Sequence, residues 1–312
     1  MARPCREGDD LVDATPLRQR RDRTRAEHAP RHRAPGDVEN FARSFGALGD
    51  IAYQGAQVSA SVIDLDNSRN LVAIDDRIAL PTASVGKVLL LIEVSAQLSD
   101  GSLQPFATVD KHAVGPVGDS GVWQHLQVPA LPVLDAASLV GATSDNLATN
   151  VLLEHVGLEA VRRRTDALGL ARTALLDLVR DSRGPDDAPQ LSIGSAAELS
   201  WLFAALARGQ IIDAVTSNRV IGWLSLNTDL SLVASAFGLD PLAHRATDHG
   251  TLLINKTGTD VGVRSEAGVL RGTRAGVSYA LTVQFDDASL PARLQVLDAM
   301  RSFGTDLLEY VH

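Results

Sequence analysis

The chain has 312 residues, of which 45% are hydrophobic and 21% charged, a composition typical of a globular protein with a sizeable core. Its formal net charge is −9 at pH 7. A surface this acidic repels phosphate backbones and anionic lipid, so we expect neither nucleic acid nor a membrane as a partner. The densest apolar run, Val88–Ile92, is far shorter than the roughly 20 residues of a membrane-spanning helix.

Residues 1–36 differ from the rest because they carry nine Arg, six acidic residues and only three Leu or Val. This composition predicts a disordered basic tail, with a targeting peptide or a polyanion-binding arm as the functional alternative. No apolar stretch follows Arg20-Arg21, so we predict no signal peptide and a cytoplasmic location. Cys5, the only cysteine, lies here, which excludes an internal disulfide and a Cys-x-x-Cys metal site.

From residue 37 onwards, helical and strand patterns follow one another in blocks. Helices are predicted at 37–48, 85–98, 134–140, 147–155, 158–168, 195–208, 213–225 and 292–310. Strands are predicted at 57–65, 70–74, 251–255, 265–270 and 277–285. Ser195 and Glu198 match a capping box, and Gly209 matches a C-cap, so both ends of that helix are marked.

This order predicts an α/β fold in which one sheet is built from both ends of the chain and a helical block is inserted between them. We assign residues 37–83 and 244–312 to the α/β part and residues 84–243 to an all-α lobe. Small-molecule sites lie preferentially in clefts between such parts.

Three short motifs carry the chemistry. Ser84-Val85-Gly86-Lys87 is S-x-x-K, and the i, i+3 spacing places the serine and the lysine on one helical face. A serine hydroxyl needs a neighbouring base to become a nucleophile, and a lysine in a dry cleft has its pKa lowered enough to serve. Ser144-Asp145-Asn146 precedes a predicted helix, where an N-cap is the plain structural interpretation. Lys256-Thr257-Gly258 ends a predicted strand.

In this order, and on these elements, the motifs resemble those of the class A β-lactamases and penicillin-binding proteins. The resemblance covers residues 37–312 and implies a β-lactamase/transpeptidase-like fold with the active site in the cleft. It implies that Ser84 attacks an amide or ester carbonyl, that Lys87 takes or relays its proton, and that Ser144 passes a proton to the leaving nitrogen. The backbone N–H groups of Ser84 and Thr259 would form the oxyanion hole.

The resemblance also implies a set of binding residues. Asn146 would hold the substrate's side-chain amide, and the substrate carboxylate would be bound by Lys256, Thr257 and Thr259. Arg264 matches a position where some relatives have a carboxylate-binding arginine, with a surface strand arginine as the alternative. Trp123 lies where the family often places an aromatic at the cleft rim, with a buried core tryptophan as the alternative.

One departure concerns the glutamate with which class A enzymes activate the deacylating water. The corresponding loop has Val179, Arg180 or Asp181 at that place, and the E-x-x-x-N pattern is absent. Asp177 or Asp181 would substitute only if the loop moved closer. Because losing a general base costs on the order of 10²–10⁴ in rate, the sequence predicts slow β-lactam hydrolysis.

The sequence therefore predicts a serine hydrolase that forms an acyl-enzyme at Ser84 on a small amide or ester substrate. An esterase, peptidase or transacylase of the same fold, and a non-catalytic protein that binds a β-lactam or peptide, are the alternatives. No cofactor or metal is expected, and His244 and His249 are interpreted as loop residues because no third ligand accompanies them. The oligomeric state is left open.

Overall fold

The computed structural model describes residues 40–245, 247–248 and 250–312. The predicted tail with Cys5, the first three residues of the predicted first helix, and His249 lie outside the described residues. The helices, numbered here in chain order, are α1 Ala42–Tyr53, α2 Lys87–Asp100, α3 Val133–Thr143, α4 Asn146–Val156, α5 Leu158–Ala167, α6 Ala196–Ala207, α7 Ala214–Leu224 and α8 Leu290–Val311.

A five-stranded antiparallel sheet has the order β2-β1-β10-β9-β8, so strands from both ends of the chain pair at its centre. Short strands form two further small sheets, β3-β7-β6 and β4-β5. The strands are β1 Gln57–Asp64, β2 Asn70–Ile74, β3 Leu80–Pro81, β4 Thr108–Asp110, β5 Ala130–Pro132, β6 Ala174–Leu175, β7 Ser192–Gly194, β8 Leu252–Asp260, β9 Val263–Arg271 and β10 Gly276–Gln284. β8 is an edge strand of the large sheet.

The large sheet separates two apolar clusters, because alternate side chains of a strand point to opposite faces. One face packs against the first and last helices, with Phe41, Phe303 and Tyr279 in the same buried cluster. These two helices are joined by Asp306, whose carboxylate accepts hydrogen bonds from the backbone N–H and hydroxyl of Ser44 at 2.8 and 2.7 Å. The other face packs against the helical block.

The helix α2 is the centre of that block. Its residues from Lys87 to Ala96 are all buried, as its nearly continuous apolar sequence predicts. The helices α3 and α7 approach closely at Gly141, where a Cβ atom would overlap the Trp223 carbonyl. This block carries Lys87 and the Ser144–Asn146 segment, and the sheet carries Lys256, so the functional residues meet where the two parts face each other.

The structure corrects two local predictions. The first helix ends at Tyr53 rather than at residue 48. Ser195 caps α6 by accepting from the Glu198 backbone N–H, but the Glu198 carboxylate does not complete the capping box. It accepts instead from the backbone N–H groups of Ala171 and Arg172, and so ties α6 to the turn after α5.

Within the described ranges, no helix combines the length and apolarity that a membrane crossing requires. The same residues contain no cluster of three or more His, Cys, Asp or Glu side chains arranged to hold a metal ion. His244 is buried, and its Nδ1 lies 3.0 Å from the Asp240 carbonyl oxygen.

Candidate active site

Ser84 lies in the 3-10 turn Ala83–Gly86 that leads directly into α2. Ala83, just before it, has a φ of 47°, a left-handed conformation that is unfavourable for a residue with a Cβ atom. Ser192 on β7 holds this turn: its hydroxyl donates to the Ala83 carbonyl at 2.6 Å and lies 2.8 Å from the Thr82 hydroxyl. The strained turn is thus fixed by a fully buried neighbour, and the Ser84 side chain is half-exposed on the pocket wall.

The strand β8 passes against the same turn. At Gly258 a Cβ atom would overlap the Thr82 carbonyl oxygen and would lie 3.0 Å from the Ser84 nitrogen. Only glycine permits this approach, which brings the end of β8 beside Ser84. Thr257 and Thr259, on either side of Gly258, both line the pocket that contains Ser84.

Lys87 is fully buried one turn after Ser84. Its Nζ lies 2.7 Å from the Ser144 carbonyl oxygen, 2.6 Å from Asn146 Oδ1 and 3.2 Å from the Ser144 hydroxyl. Burial, and then the charge of Lys256, lower the pKa of Lys87 well below its ordinary value, against the opposing effect of Asp145. A neutral amine has two N–H groups, which the two carbonyl-type oxygens can accept, and one lone pair, which is left for a hydroxyl proton.

The Ser144–Asn146 segment is held in place by its neighbours. Ser144 adopts a left-handed φ of 55°, and the next residue, Asp145, is the N-cap of α4. The Asp145 carboxylate also accepts from the backbone N–H groups of Val122 and Trp123 at 2.8 and 2.9 Å. The predicted N-cap is therefore present, and it serves to fix the two flanking side chains that contact Lys87.

Lys256 is the second fully buried lysine of a chain that has only three. Its Nζ donates to the Thr257 carbonyl at 2.8 Å, so the ammonium group lies behind the strand end rather than on the pocket wall. Burial lowers the pKa of Lys256 to about 8, although Asp229 and Glu266 act to raise it. Because lysines are almost never fully buried unless paired, two of them together mark a functional site.

The pocket beside Ser84 has a volume of about 270 Å³. Its wall combines the nucleophile turn, the end of α3, the segment after α7 and the end of β8. The lining residues are Ser84, Ser120, Thr143, Ser144, Thr228, Asp229, Thr257 and Thr259. The sequence motifs predicted four of these residues. The other four come from segments with no recognisable spacing, and Ser120 occurs in a Gly-Asp-Ser-Gly run that resembles a protease motif by coincidence.

Of the six predicted binding residues, only Thr257 and Thr259 line this pocket, and besides Lys256 and Asn146, which contacts Lys87, two more lie outside it. Trp123 has no exposed surface, belongs to the core of the helical block and donates its indole N–H to the Val128 carbonyl at 3.1 Å. The expectation of an aromatic at the cleft rim is corrected, and the buried alternative is the one observed. Arg264 lies on β9, directly opposite Thr259 of β8 in the sheet. Its guanidinium donates to the carbonyl oxygens of Asp260 and Val263.

The loop that joins β6 to β7, residues 176–191, contains the place of the missing glutamate. Asn150 on α4 holds this loop by its side-chain amide, which donates to the Val179 carbonyl and accepts from the Val179 N–H, both at 2.8 Å. Asn150 lies one helical turn after Asn146, which contacts Lys87. Of the three candidate positions, Val179 is therefore the one held against α4, one helical turn beyond the residue that contacts Lys87.

The carboxylates of the loop are occupied elsewhere. Asp177 is paired with Arg180 and Arg183 at 2.8 and 2.7 Å. Burial opposes its ionisation, but hydrogen bonds from Arg180, the Leu178 N–H and Arg183 lower the pKa of Asp177 below its ordinary value. Asp181 accepts from the Gly118 N–H at 2.8 Å and faces a different pocket. Neither carboxylate lines the pocket of Ser84, so neither replaces the glutamate in this structure.

The model of the β-lactamase enzyme family matches residues 40–311. The chain belongs to this family, and its family and fold support a serine hydrolase of the β-lactamase type. The resemblance inferred from the motifs and the predicted α/β fold are thereby confirmed. A comparison with curated proteins gives no significant match.

Solved structures show the same fold at low sequence identity. A β-lactamase from Sphaerobacter thermophilus superposes with a TM-score of 0.73 at 20% identity, covering 84% of this chain and 95% of that one. A chromosome-encoded β-lactamase of Vibrio parahaemolyticus superposes with a TM-score of 0.70 at 20% identity, covering 86% of this chain and 98% of that one. A mutant of PBP-A, solved as an acyl-enzyme complex with penicillin G, has a TM-score of 0.69 at 17% identity, covering 86% of this chain and 96% of that one.

Proposed function

We propose that this protein is a serine acyl-transfer hydrolase that forms an acyl-enzyme at Ser84 with a small amide or ester substrate. The observation that carries the proposal is the fully buried Lys87, whose Nζ is held by the Ser144 carbonyl and Asn146 Oδ1. Both of these oxygens only accept hydrogen bonds, and burial keeps the pKa of the amine low. The lowered pKa makes Lys87 a better candidate than an exposed lysine to take the Ser84 proton.

In the proposed acylation step, the Ser84 hydroxyl proton passes to the neutral Lys87 amine as Oγ bonds to the substrate carbonyl carbon. The oxyanion that forms accepts from the backbone N–H groups of Ser84 and Thr259. The carbon–nitrogen or carbon–oxygen bond to the leaving group then breaks. The leaving atom takes a proton from the Ser144 hydroxyl, which is replaced by the proton on Lys87 across the 3.2 Å contact.

The proposed deacylation step is slow for water. Val179 is apolar, Asp177 is held by two arginines and Asp181 by the Gly118 N–H, so neither of the two candidate carboxylates is placed to activate a water at Ser84. This favours either weak β-lactam hydrolysis or release of the acyl group to another acceptor. A protein that only binds its ligand is the less favoured alternative, because a pure binder has no use for a buried lysine whose pKa is lowered.

Intact-mass time courses test the proposal. The protein is mixed at pH 7 with penicillin G and, separately, with a neutral aryl acetate, alongside Ser84→Ala and a control, Ser302→Ala, on the outer face of α8. We expect an adduct of one acyl group in the wild type and in the control, and none in Ser84→Ala. A persistent adduct supports slow deacylation. Labelling of Ser84→Ala at the wild-type rate, or no adduct with either reagent, would refute the proposal.

A further inference from the structure

The wall of the Ser84 pocket carries seven hydroxyl side chains and a single ionisable one, Asp229. The two lysines of the motifs are buried and do not line this wall: the Lys87 Nζ donates to the Ser144 carbonyl, and the Lys256 Nζ donates to the Thr257 carbonyl of its own strand. A ligand that enters this pocket therefore meets a carboxylate directly and the two lysine side chains only through the protein.

Asp229 is held in a fixed position by the turn that follows α7. Its Oδ1 accepts from the backbone N–H and the hydroxyl of Ser231 at 3.1 and 2.6 Å. The Asn227 side chain accepts from the Asp229 N–H at 3.3 Å and donates to the Asp229 carbonyl at 3.1 Å. The half-buried carboxylate is thus aimed by its own turn and needs no rearrangement to meet a ligand.

No cation of the described residues forms an ion pair with Asp229: the recorded ion pairs, each within 4 Å, all involve other acids. Its charge nevertheless reaches the two nearest cations, because it acts to raise the pKa of both Lys256 and Arg264. The Arg264 guanidinium donates hydrogen bonds to the carbonyl oxygens of Asp260 and Val263 instead. The Asp229 carboxylate is therefore able to form an ion pair with a cationic ligand.

We propose that Asp229 determines specificity, and that the substrate is an amide or ester whose leaving group carries a cation, an ammonium or guanidinium, rather than a carboxylate. The inference rests on the proposed acylation at Ser84. Asp229 lines the same pocket as Ser84, Thr257 and Thr259, so a leaving group that extends from Ser84 along this wall shares the pocket with its carboxylate. A cation on the leaving group is attracted by Asp229, with which no protein cation of the described residues is ion-paired. A carboxylate at the same place is repelled.

Three aryl acetates that differ only in their meta substituent test this. The substituents are trimethylammonium, tert-butyl and carboxylate, so the first two have the same shape and differ in charge. For each ester, kcat/KM is divided by its rate constant with hydroxide, which removes differences in leaving-group reactivity. Wild type is compared with Asp229→Asn and with Asp50→Asn, a matched loss of one negative charge on the exposed face of α1.

We expect the wild type to prefer the trimethylammonium ester over the carboxylate ester by about tenfold or more, an effect that salt reduces. Asp229→Asn should lower this ratio by about tenfold, and Asp50→Asn should leave it within a factor of two. A wild type that prefers the carboxylate ester overturns the inference even if no variant folds. An unchanged ratio in folded Asp229→Asn also overturns it.

The neutral tert-butyl ester separates this inference from the proposed function. If Ser84→Ala hydrolyses that ester as fast as the wild type does, acylation at Ser84 is refuted, whatever the charge preference. If Ser84 is required but the ratio of the charged esters does not depend on Asp229, acylation stands and only the specificity inference fails.

Discussion

On one side of Ser84, every polar group around Lys87 contributes to an acylation site: two acceptor oxygens hold the amine, and Asp145 fixes the segment that supplies them. On the other side, in the loop of residues 176–191, Asp177 and Asp181 each stabilise the loop itself. Under the proposed mechanism, the two half-reactions would depend on separate parts of the structure. The groups proposed for acylation contact one another, whereas the position held by Asn150 in the loop has the apolar side chain of Val179.

The largest expected effect is the loss of acylation when the proposed base is removed. Lys87→Met keeps the length and apolar stem of the side chain but removes the base, so we expect the acylation rate with the neutral aryl acetate to fall on the order of 10³-fold. Intact mass against time gives the rate. Lys111→Met changes the one lysine that is not fully buried and serves as the control. Acylation of Lys87→Met within tenfold of wild type would show that another group takes the proton.

The second effect sharpens the difference between the two sides by adding a base to the loop. In Val179→Glu the backbone contacts to Asn150 are retained, and the new carboxylate should speed clearance of the penicillin adduct by on the order of 10². Val179→Gln has the same size without a base. Equal clearance in the glutamate and glutamine variants would mean that the loop does not present residue 179 to the acyl group.

A smaller effect follows from the charge of Lys256. Its pKa is lowered to about 8, so the ammonium is present below that pH and is lost above it. Asp229 disfavours the carboxylate of penicillin G and the Lys256 ammonium offsets part of that repulsion, so acylation by penicillin G, divided by acylation by the neutral acetate, should be constant up to about pH 7.5 and fall several-fold by pH 9.5. Lys256→Met should give the low ratio at every pH. A flat wild-type ratio through pH 10 would separate Lys256 from carboxylate binding.

The smallest effect concerns the support of the nucleophile turn. Ser192→Ala removes the hydroxyl that bonds to Ala83 and Thr82, leaving two buried groups without that partner. We expect a loss of about 1–3 kcal/mol in the free energy of unfolding, measured with urea, and a few-fold slower acylation. Ser302→Ala, on the exposed face of α8, is the control. Unchanged stability and rate would show that β8, packed at Gly258, holds the turn alone.

Residues with strong local patterns were accessible from sequence. The alternation in β1, the apolar continuity of α2 and the three motifs predicted the sheet, the buried helix and the family to which the chain belongs. These features depend on spacing along the chain, which is what a single sequence displays.

Contacts between segments distant in the chain could not be predicted from the sequence. Ser192 and Asp229 reach the site from a short strand and a turn that have no diagnostic spacing, so only the folded chain places them. Trp123 shows the opposite case, because position alone predicted a rim aromatic whereas tertiary packing buries it in the core. Glu198 matched a capping box, but its carboxylate found two N–H donors in another segment.

The pairing of Asn150 with residue 179 has an evolutionary consequence. Asn150 binds only the main chain of Val179, through its N–H and carbonyl, so the path of the loop does not depend on which side chain stands there. Selection can therefore exchange that side chain without rebuilding the loop. The lifetime of the acyl-enzyme, and with it the choice between a hydrolase and a long-lived acylated state, is then accessible to change at a single codon.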